Sequence, residues 1–252
     1  MSDRIVALSG CPVVVSNILV CLSFCKRDAD LLIENLRWQQ ELGSARRFEC
    51  GLVYDETIQF AKVDAVMRLT SPLFVNVHDF KYPKPPYQRW PNAPNYAFQH
   101  TARKMAEHGR PWFWMEPDCI PLKSGWMERL EQEYDQSGKP FMGPVVPNMG
   151  HINGVAIYPA NTPDILKKGM QCTNSAWDSV SKQEMIPYAH DASHLMQHAW
   201  GLVNGRFTPQ HGDPPVFKSK DLLSQLLPTA VLFHRCKGTS LIERLREVRR
   251  ES

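Results

Sequence analysis

Three things are missing from this chain: a C-x-x-C pair, an apolar run of the roughly 20 residues that a bilayer span needs, and any low-complexity tract or internal repeat. The seven cysteines (Cys11, Cys21, Cys25, Cys50, Cys119, Cys172, Cys236) are odd in number and scattered, which argues against a zinc ribbon or a disulfide framework and for reduced thiols. The longest apolar stretch, Val13 to Phe24, is interrupted by Ser16 and Asn17 and reads as a strand, not a membrane anchor. Only Arg4, offset by Asp3, precedes it, and no small-residue cleavage site follows, so a soluble cytoplasmic protein is expected. A strong charge of either sign is also absent. With 29 Lys and Arg against 26 Asp and Glu, the formal charge of +3 does not by itself mark a nucleic-acid binder, nor would it repel an anionic partner.

What is present suits one folded domain. The 252 residues are 43% apolar and 22% charged, ordinary proportions for a chain that buries its own core. Residues 17–25 form an apolar strand, and Leu31, Leu32, Leu36 and Leu42 then recur at near-helical spacing, with Asp28 or Asp30 to cap that helix and Gly43 to end it. Strands are expected at 48–57 and 73–80. A second helix is expected over 96–108, with Phe98, Ala102, Met105 and Ala106 on one face, Asn95 as its cap and Gly109 as its stop. The strand WFWME (112–116) follows, and Ser124 starts another helix. Later, PFMGPVV, GVAIYP and TAVLFHR read as strands and 190–200 as a helix. The last helix has Ser240 and Glu243 at capping-box spacing, with Leu241, Ile242, Leu245 and Val248 expected to be buried. Strands alternating with helices in the first half predict a mostly parallel sheet, whose ligands bind beyond the carboxyl ends of the strands.

The segment richest in chemistry is WFWMEPDCIPLKSGW, where an apolar strand ends abruptly in Glu116-Pro117-Asp118. In an extended stretch, residues i and i+2 share a side, so the two carboxylates can offer oxygens to one hard cation while Pro117 stiffens the backbone between them. Taken alone, an acid-x-acid triplet is more often a solvated turn. Its position at the end of a central strand favours a metal site.

Strand-E-P-D-x-x-P-L-x-x-G-W followed by an amphipathic helix resembles the acidic metal motif of nucleotide-sugar glycosyltransferases of the GT-A fold. The usual motif is D-x-D, and Glu116 stands here in place of the first Asp. The resemblance implies an α/β chain: a single GT-A (Rossmann-like) domain over 1–252, with a central mostly parallel sheet flanked by helices. The nucleotide-sugar-binding half would be about 13–122 and the acceptor-binding half about 123–252. It implies Mn²⁺ or Mg²⁺ on Glu116 and Asp118, and a nucleotide-sugar donor, a uridine nucleotide sugar by preference, with Ser23, Phe24 and Asp55 beside base and ribose. TAVLFHRCKGTS is similar to the late histidine-lysine segment of the same enzymes, which implies His234 as a further metal ligand and Lys237 on the diphosphate.

On the acceptor side, Gly150-His151-Ile152-Asn153-Gly154 is similar to the glycine-bearing strand that borders the acceptor in this fold, giving His151, Asn153 and Gly154 as candidate contacts, although a plain turn would look the same. Asp191 falls near an expected helix start, where inverting members of the family place a general base; an N-cap role explains an Asp there equally well. His190, His194 and His198, four residues apart, would share one helical face. As a zinc site they lack the Glu of H-E-x-x-H and would spread over about 12 Å. The loop KYPKPPYQRWPNAPNY (81–96), with five prolines, offers Tyr87, Arg89 and Trp90 as an acceptor platform or serves as a stiff crossover.

A compact chain with EPD and HRCK segments also resembles glycosyltransferases encoded by DNA-modifying bacteriophages. That resemblance implies a 5-hydroxymethyl pyrimidine in DNA as acceptor and the host cytoplasm as location; among the residues, the 81–96 loop could hold a displaced base and Lys218 and Lys220 could meet phosphates. Transfer to a saccharide or small metabolite, and metal-dependent nucleotidyl transfer, stay open as alternatives. The nucleotidyl reading is weakened by the lack of glycine in CKRDADLL. Neither a membrane nor an obligate protein partner is expected.

Overall fold

Ser16 divides the first long apolar stretch. Its backbone N–H donates to the Arg47 carbonyl at 2.7 Å, and its hydroxyl accepts from Ile18 N at 3.0 Å and donates to Glu131 Oε1 at 2.5 Å. The run expected as one strand is therefore two. β1 (Ile5–Leu8) and β2 (Cys11–Val14) pair antiparallel as a separate ribbon, and β3 (Leu19–Ser23) enters the main sheet. The computed structural model describes residues 5–8, 11–43, 46–146, 149–199 and 223–251; Lys218 and Lys220 lie outside them.

After β3, α1 (Ala29–Leu42) buries Leu32, Asn35, Leu36, Trp38 and Gln39 at helical spacing and ends at Gly43, whose φ of 71° suits a residue without Cβ. Leu31 is only half-buried. Asp28 precedes the helix without capping it: its carboxylate accepts from Cys25 N at 2.6 Å instead. β4 (Glu49–Asp55) is buried along its whole length. Between it and β5 (Asn76–Tyr82) lies α2 (Phe60–Thr70), where the sequence reading passes directly from strand to strand. Only Val63, Val66 and Thr70 of that helix are buried, so its apolar stripe is too narrow to announce a helix.

The next helix, α3 (Asn92–His108), starts earlier than expected and stops at left-handed Gly109. Asn95 is therefore inside the helix, 1% exposed, and not its cap, while Ala106 faces solvent. β6 (Trp112–Met115) leads to β7 (Cys119–Pro121), and α4 (Trp126–Ser137) begins after Gly125 rather than at Ser124. β8 (Phe141–Gly143) and β9 (Ile157–Tyr158) follow, then the short helices α5 (Thr162–Ile165), α6 (Trp177–Val180) and α7 (Lys182–Met185).

The expected helix over 190–200 is not formed. The chain makes β10 (Ala189–Asp191), a turn, and β11 (Met196–His198). β12 (Leu232–His234) precedes α8 (Ser240–Glu251). In α8 Leu241 and Ile242 are buried and Leu245 partly so, but Val248 is 41% exposed. The side chain that meets Glu243 Oε1 is Thr239, at 2.5 Å.

The main sheet runs β10-β8-β9-β6-β3-β4-β5. β6, β3, β4 and β5 are mutually parallel, and β9 is antiparallel to both β6 and β8. A second sheet runs β11-β12-β7. One core packs Leu32, Leu36, Val63, Val66 and Leu130 of α1, α2 and α4 against the sheet, and another gathers Phe98, Ala102 and Met105 of α3 with Trp112, Trp114 and Tyr158. Helices thus cover both faces of a mostly parallel sheet, as the alternating pattern predicts. Among the described residues no helix is long and apolar enough to cross a membrane.

Candidate active site

β6 is buried on both faces, each residue 2% exposed or less, because it lies between β3 and β9 with helices above and below. At its end the chain turns, with Cys119 N donating to the Glu116 carbonyl at 3.0 Å. Glu116 and Asp118 therefore converge through a tight turn and not through the extended alternation expected from their spacing. Helix α1 holds that turn by its polar buried residues. Asn35 Nδ2 donates to Pro117 O at 3.1 Å and Cys119 O at 2.8 Å, Gln39 Nε2 donates to Asn35 Oδ1 at 3.1 Å, and Trp38 Nε1 donates to Pro121 O at 2.7 Å. Removing the Asn35 amide would strand buried carbonyls, at a cost of about 1–3 kcal/mol.

The second sheet delivers the third residue of the cluster. β12 pairs antiparallel with β7 so that His234 opposes Cys119, and Cys236 N donates to the Asp118 carbonyl at 3.1 Å. Arg235 between them takes φ of 78°, the left-handed region that a non-glycine residue occupies only under constraint.

His234 Nε2 lies 3.4 Å from Glu116 Oε2 and 3.4 Å from Asp118 Oδ1, and one ligand atom from each of the three residues falls within 4.8 Å of the others. The Lys237 ammonium meets Asp118 Oδ2. Asp118 is 2% and His234 7% exposed, while Glu116 opens towards solvent. Burial opposes charge on Asp118, but His234 and Lys237 outweigh it and hold the carboxyl well below the usual range. Burial likewise opposes charge on His234, yet Asp118 and then Glu116 raise it to about 9.

His234 Nδ1 is buried without a hydrogen bond, and the Asp118 oxygens are held by His234 and Lys237 alone. Two carboxylates and an imidazole that converge in this way fit a divalent cation such as Mn²⁺ or Mg²⁺, with coordination positions left over for a substrate.

The strand ends around this turn carry the expected nucleotide residues. Ser23 closes β3, and Phe24, 3% exposed, packs its ring 5.5 Å from that of Tyr54. Asp55 at the end of β4 is 5% exposed, and its Oδ1 accepts from Thr57 N at 2.8 Å and from the Thr57 hydroxyl. Asp28, which sequence reasoning treated only as a cap, has its carboxyl raised, by burial first and also by Asp118 and Glu116 against the lowering hydrogen bond from Cys25, so the β3–α1 loop sits beside the Glu116–Asp118 turn.

On the far side, His151 and Asn153 are buried and Gly154 packs under Trp177. Tyr87 and Trp90 are 58% and 77% exposed and Arg89 is also exposed, in the loop between β5 and α3. Asp191 stands on edge strand β10, exposed, with Oδ1 accepting from Val145 N at 3.3 Å, Ser193 N at 2.9 Å and Ser193 Oγ at 2.5 Å.

The three histidines part company because 190–198 is not helical. His190 and His194 point Nε2 at Glu133 Oε1, at 2.8 and 3.6 Å, while His198 packs edge-on against His234 at 4.9 Å between ring centres. Burial first, then His234, lowers His198 to about 2 and keeps it neutral.

Sequence reasoning also missed Asp178. Its side chain is 14% exposed and its carboxyl is raised to about 6, by burial first and also by Glu116. It sits among short helices with no periodicity to flag it.

No protein-family model and no curated protein matches this sequence. Solved structures do match. An active-site mutant of LgtC aligns with a TM-score of 0.60 at 11% identity, over 93% of this chain and 96% of that one. The galactosyltransferase LgtC in complex with donor and acceptor sugar analogs gives 0.55 at 11%, over 92% and 95%. The bifunctional glycosyltransferase WbbM gives 0.58 at 8%, covering 87% of this chain, which spans 45% of that protein. The fold is GT-A. At these identities the likeness speaks for the fold alone, and any activity has to be argued from the residues at the strand ends.

Proposed function

We propose that the chain is a metal-dependent glycosyltransferase that moves a sugar from a nucleotide sugar to an acceptor hydroxyl. The observation that carries this reading is the convergence of Glu116 with the buried Asp118 and His234, with Lys237 against them, at the carboxyl end of a central strand of a GT-A fold. Glu116, Asp118 and His234 would hold Mn²⁺ or Mg²⁺. When bound, that ion supplies Lewis-acid stabilisation of the donor diphosphate. Lys237 offsets the charge that grows on the departing nucleoside diphosphate as the anomeric C–O bond breaks. Ser23, Phe24 and Asp55 border the nucleoside, for which uridine is our first choice.

On this reading residues of about 13–122 serve the donor and those of about 123–252 the acceptor, in one domain. Asp191 takes the acceptor proton as the hydroxyl oxygen attacks the anomeric carbon, giving inversion. Val145 N and Ser193 hold one of its oxygens. His151, Asn153 and Gly154 line the acceptor side.

For the acceptor we favour a 5-hydroxymethyl pyrimidine in DNA, reached in the cytoplasm of a phage-infected host. The exposed rings of Tyr87 and Trp90 beside Arg89 support an extruded base, since aromatic faces stack on bases and a guanidinium meets phosphate. The same faces stack on sugars, which keeps a saccharide as second acceptor.

Incubating the protein with Mn²⁺, a panel of nucleotide sugars and duplex DNA with or without 5-hydroxymethyl pyrimidines, followed by nucleoside mass spectrometry, tests both levels. A sugar mass on hydroxymethylated DNA alone, lost in Asp118→Ala, is the expected result. Transfer to an oligosaccharide and none to DNA would replace the acceptor, and no transfer or donor hydrolysis with any donor would overturn the activity.

A further inference from the structure

The antiparallel pairing of β6 with β9 sets Trp112 opposite Tyr158 and Phe113 opposite Ile157, and Trp114 N donates to Ala156 O at 2.9 Å. Continued by two residues, that register places Gly154 beside Glu116. Trp177 closes over Gly154, where a Cβ would lie 2.7 Å from the indole, so only glycine lets this ring seat. Helix α3 fixes the arrangement. Phe98 stacks on Trp177 with ring centres 4.5 Å apart, Asn95 Oδ1 accepts from Trp177 N at 3.1 Å, and Asn95 Nδ2 donates to Ser175 O at 2.7 Å.

The next residue is Asp178. Its Oδ1 accepts from Ser179 N at 2.8 Å, its carboxylate also receives the Gly154 amide, and its Oδ2 lies 3.7 Å from His151 Nε2. A buried Asn, a required Gly and a stacked Trp thus serve to hold one carboxylate and one imidazole next to the metal turn.

We propose that Asp178, braced by His151, is the specificity-determining carboxylate that binds a hydroxyl of the transferred sugar. This rests on the donor-site reading above. The pair cannot receive the diphosphate, because a carboxylate close to Glu116 repels an anion; a neutral group with both donor and acceptor character is its complement. A sugar joined to a diphosphate held at Glu116, Asp118 and His234 would present such hydroxyls beside Glu116, on the side where Gly154 and Asp178 lie. Burial, then Lys182, lowers His151, so at neutral pH the imidazole is uncharged and offers one donor and one acceptor.

The test compares Asp178→Asn with the parent by calorimetry in Mn²⁺, using UDP, UDP-glucose, UDP-galactose, GDP and GDP-mannose. For the nucleotide whose sugar the parent binds, the variant should bind the nucleotide sugar about tenfold more weakly and the bare nucleoside diphosphate within about twofold of the parent, the loss of one charge-assisted hydrogen bond. His151→Gln, read by the same ratio, decides the matter if Asp178→Asn does not fold. An unchanged ratio, or equal losses for sugar nucleotide and bare nucleotide, would overturn the assignment while the donor site stands. A parent that binds none of the five with metal would overturn the donor-site reading and this inference with it.

Discussion

The two ends of the main sheet each bury a carboxylate beside a cation and a histidine, and they differ in what else surrounds it. At the amino end of β4, Glu49 is 6% exposed and its Oε2 is shared between the Arg110 guanidinium and His78 Nε2, the latter at 2.8 Å. At the carboxyl end of β6, Asp118 is 2% exposed and is met by Lys237 and His234, but it shares its surroundings with Glu116, Asp28 and, across Glu116, Asp178. Glu49 is neutralised and satisfied, so its site is complete as folded. Asp118 has two cationic partners as well, but it lies where carboxylates gather beside a solvent-open Glu116 and an unpartnered His234 Nδ1, which is the condition of a site that can take up a cation. Burial of a charged group therefore does not by itself distinguish structure from function; the state of its partners does.

Substituting each carboxylate by its amide should separate the two roles. The largest effect is expected from Asp118→Asn: transfer should fall by about 10²–10³-fold, and the stabilisation of the protein by Mn²⁺ with UDP, read as a rise in melting temperature, should vanish. If that stabilisation survives in Asp118→Asn, the metal assignment at this turn fails.

Next comes Glu49→Gln, which leaves Arg110 buried without its counter-charge and should cost about 3 kcal/mol in urea unfolding with kcat/KM unchanged. Burial opposes charge on Glu49, but hydrogen bonds from His78 and Arg110 prevail and lower its carboxyl in the folded state. For an acid lowered on folding, the unfolded chain binds more protons. The contribution is thus fully present above the ordinary value of about 4.3 and is lost as pH falls through the folded value. Parent and Glu49→Gln should therefore approach each other in stability as pH falls from about 4 through the folded value. A difference that persists undiminished in acid would show that Glu49 acts through packing and not charge.

The smallest stability effect is expected at Trp90→Ala. A ring 77% exposed contributes little to the core, so unfolding free energy should stay within about 0.5 kcal/mol of the parent, while the acceptor KM rises. A large loss of stability would recast the 83–91 loop as a structural crossover.

Much of the fold was legible in the residues. The apolar runs at 19–23, 49–55 and 112–115 are strands because a sheet covered on both faces wants continuous Val, Leu and aromatic side chains. Gly43 and Gly109 end helices where the sequence reading places stops. Glu116 and Asp118 were readable as candidates because an acid pair stood at the end of an apolar strand, and His234 through the resemblance of TAVLFHRCKGTS to the late histidine-lysine segment of GT-A enzymes; the structure brings those three together. Elements whose pattern was weak or misleading were lost. α2 has a stripe of only three buried residues. The spacing of His190, His194 and His198 imitates a helix, although β10 is recruited by β8 and β11 by β12 through pairing with segments far away in sequence.

By itself, then, the sequence determined which segments could be buried and which side chains could bind a cation, because hydrophobic runs, caps and acid pairs are local properties. Only the tertiary structure decided which of those side chains meet. The turn at Glu116–Cys119 is set by Asn35 and Trp38 from α1, His234 arrives through β12 pairing with β7, and Asp178 is seated by Asn95 and Gly154. Each of those contacts spans tens of residues or more along the chain, and distance in space between such partners is fixed by sheet register and helix packing, which no local pattern encodes.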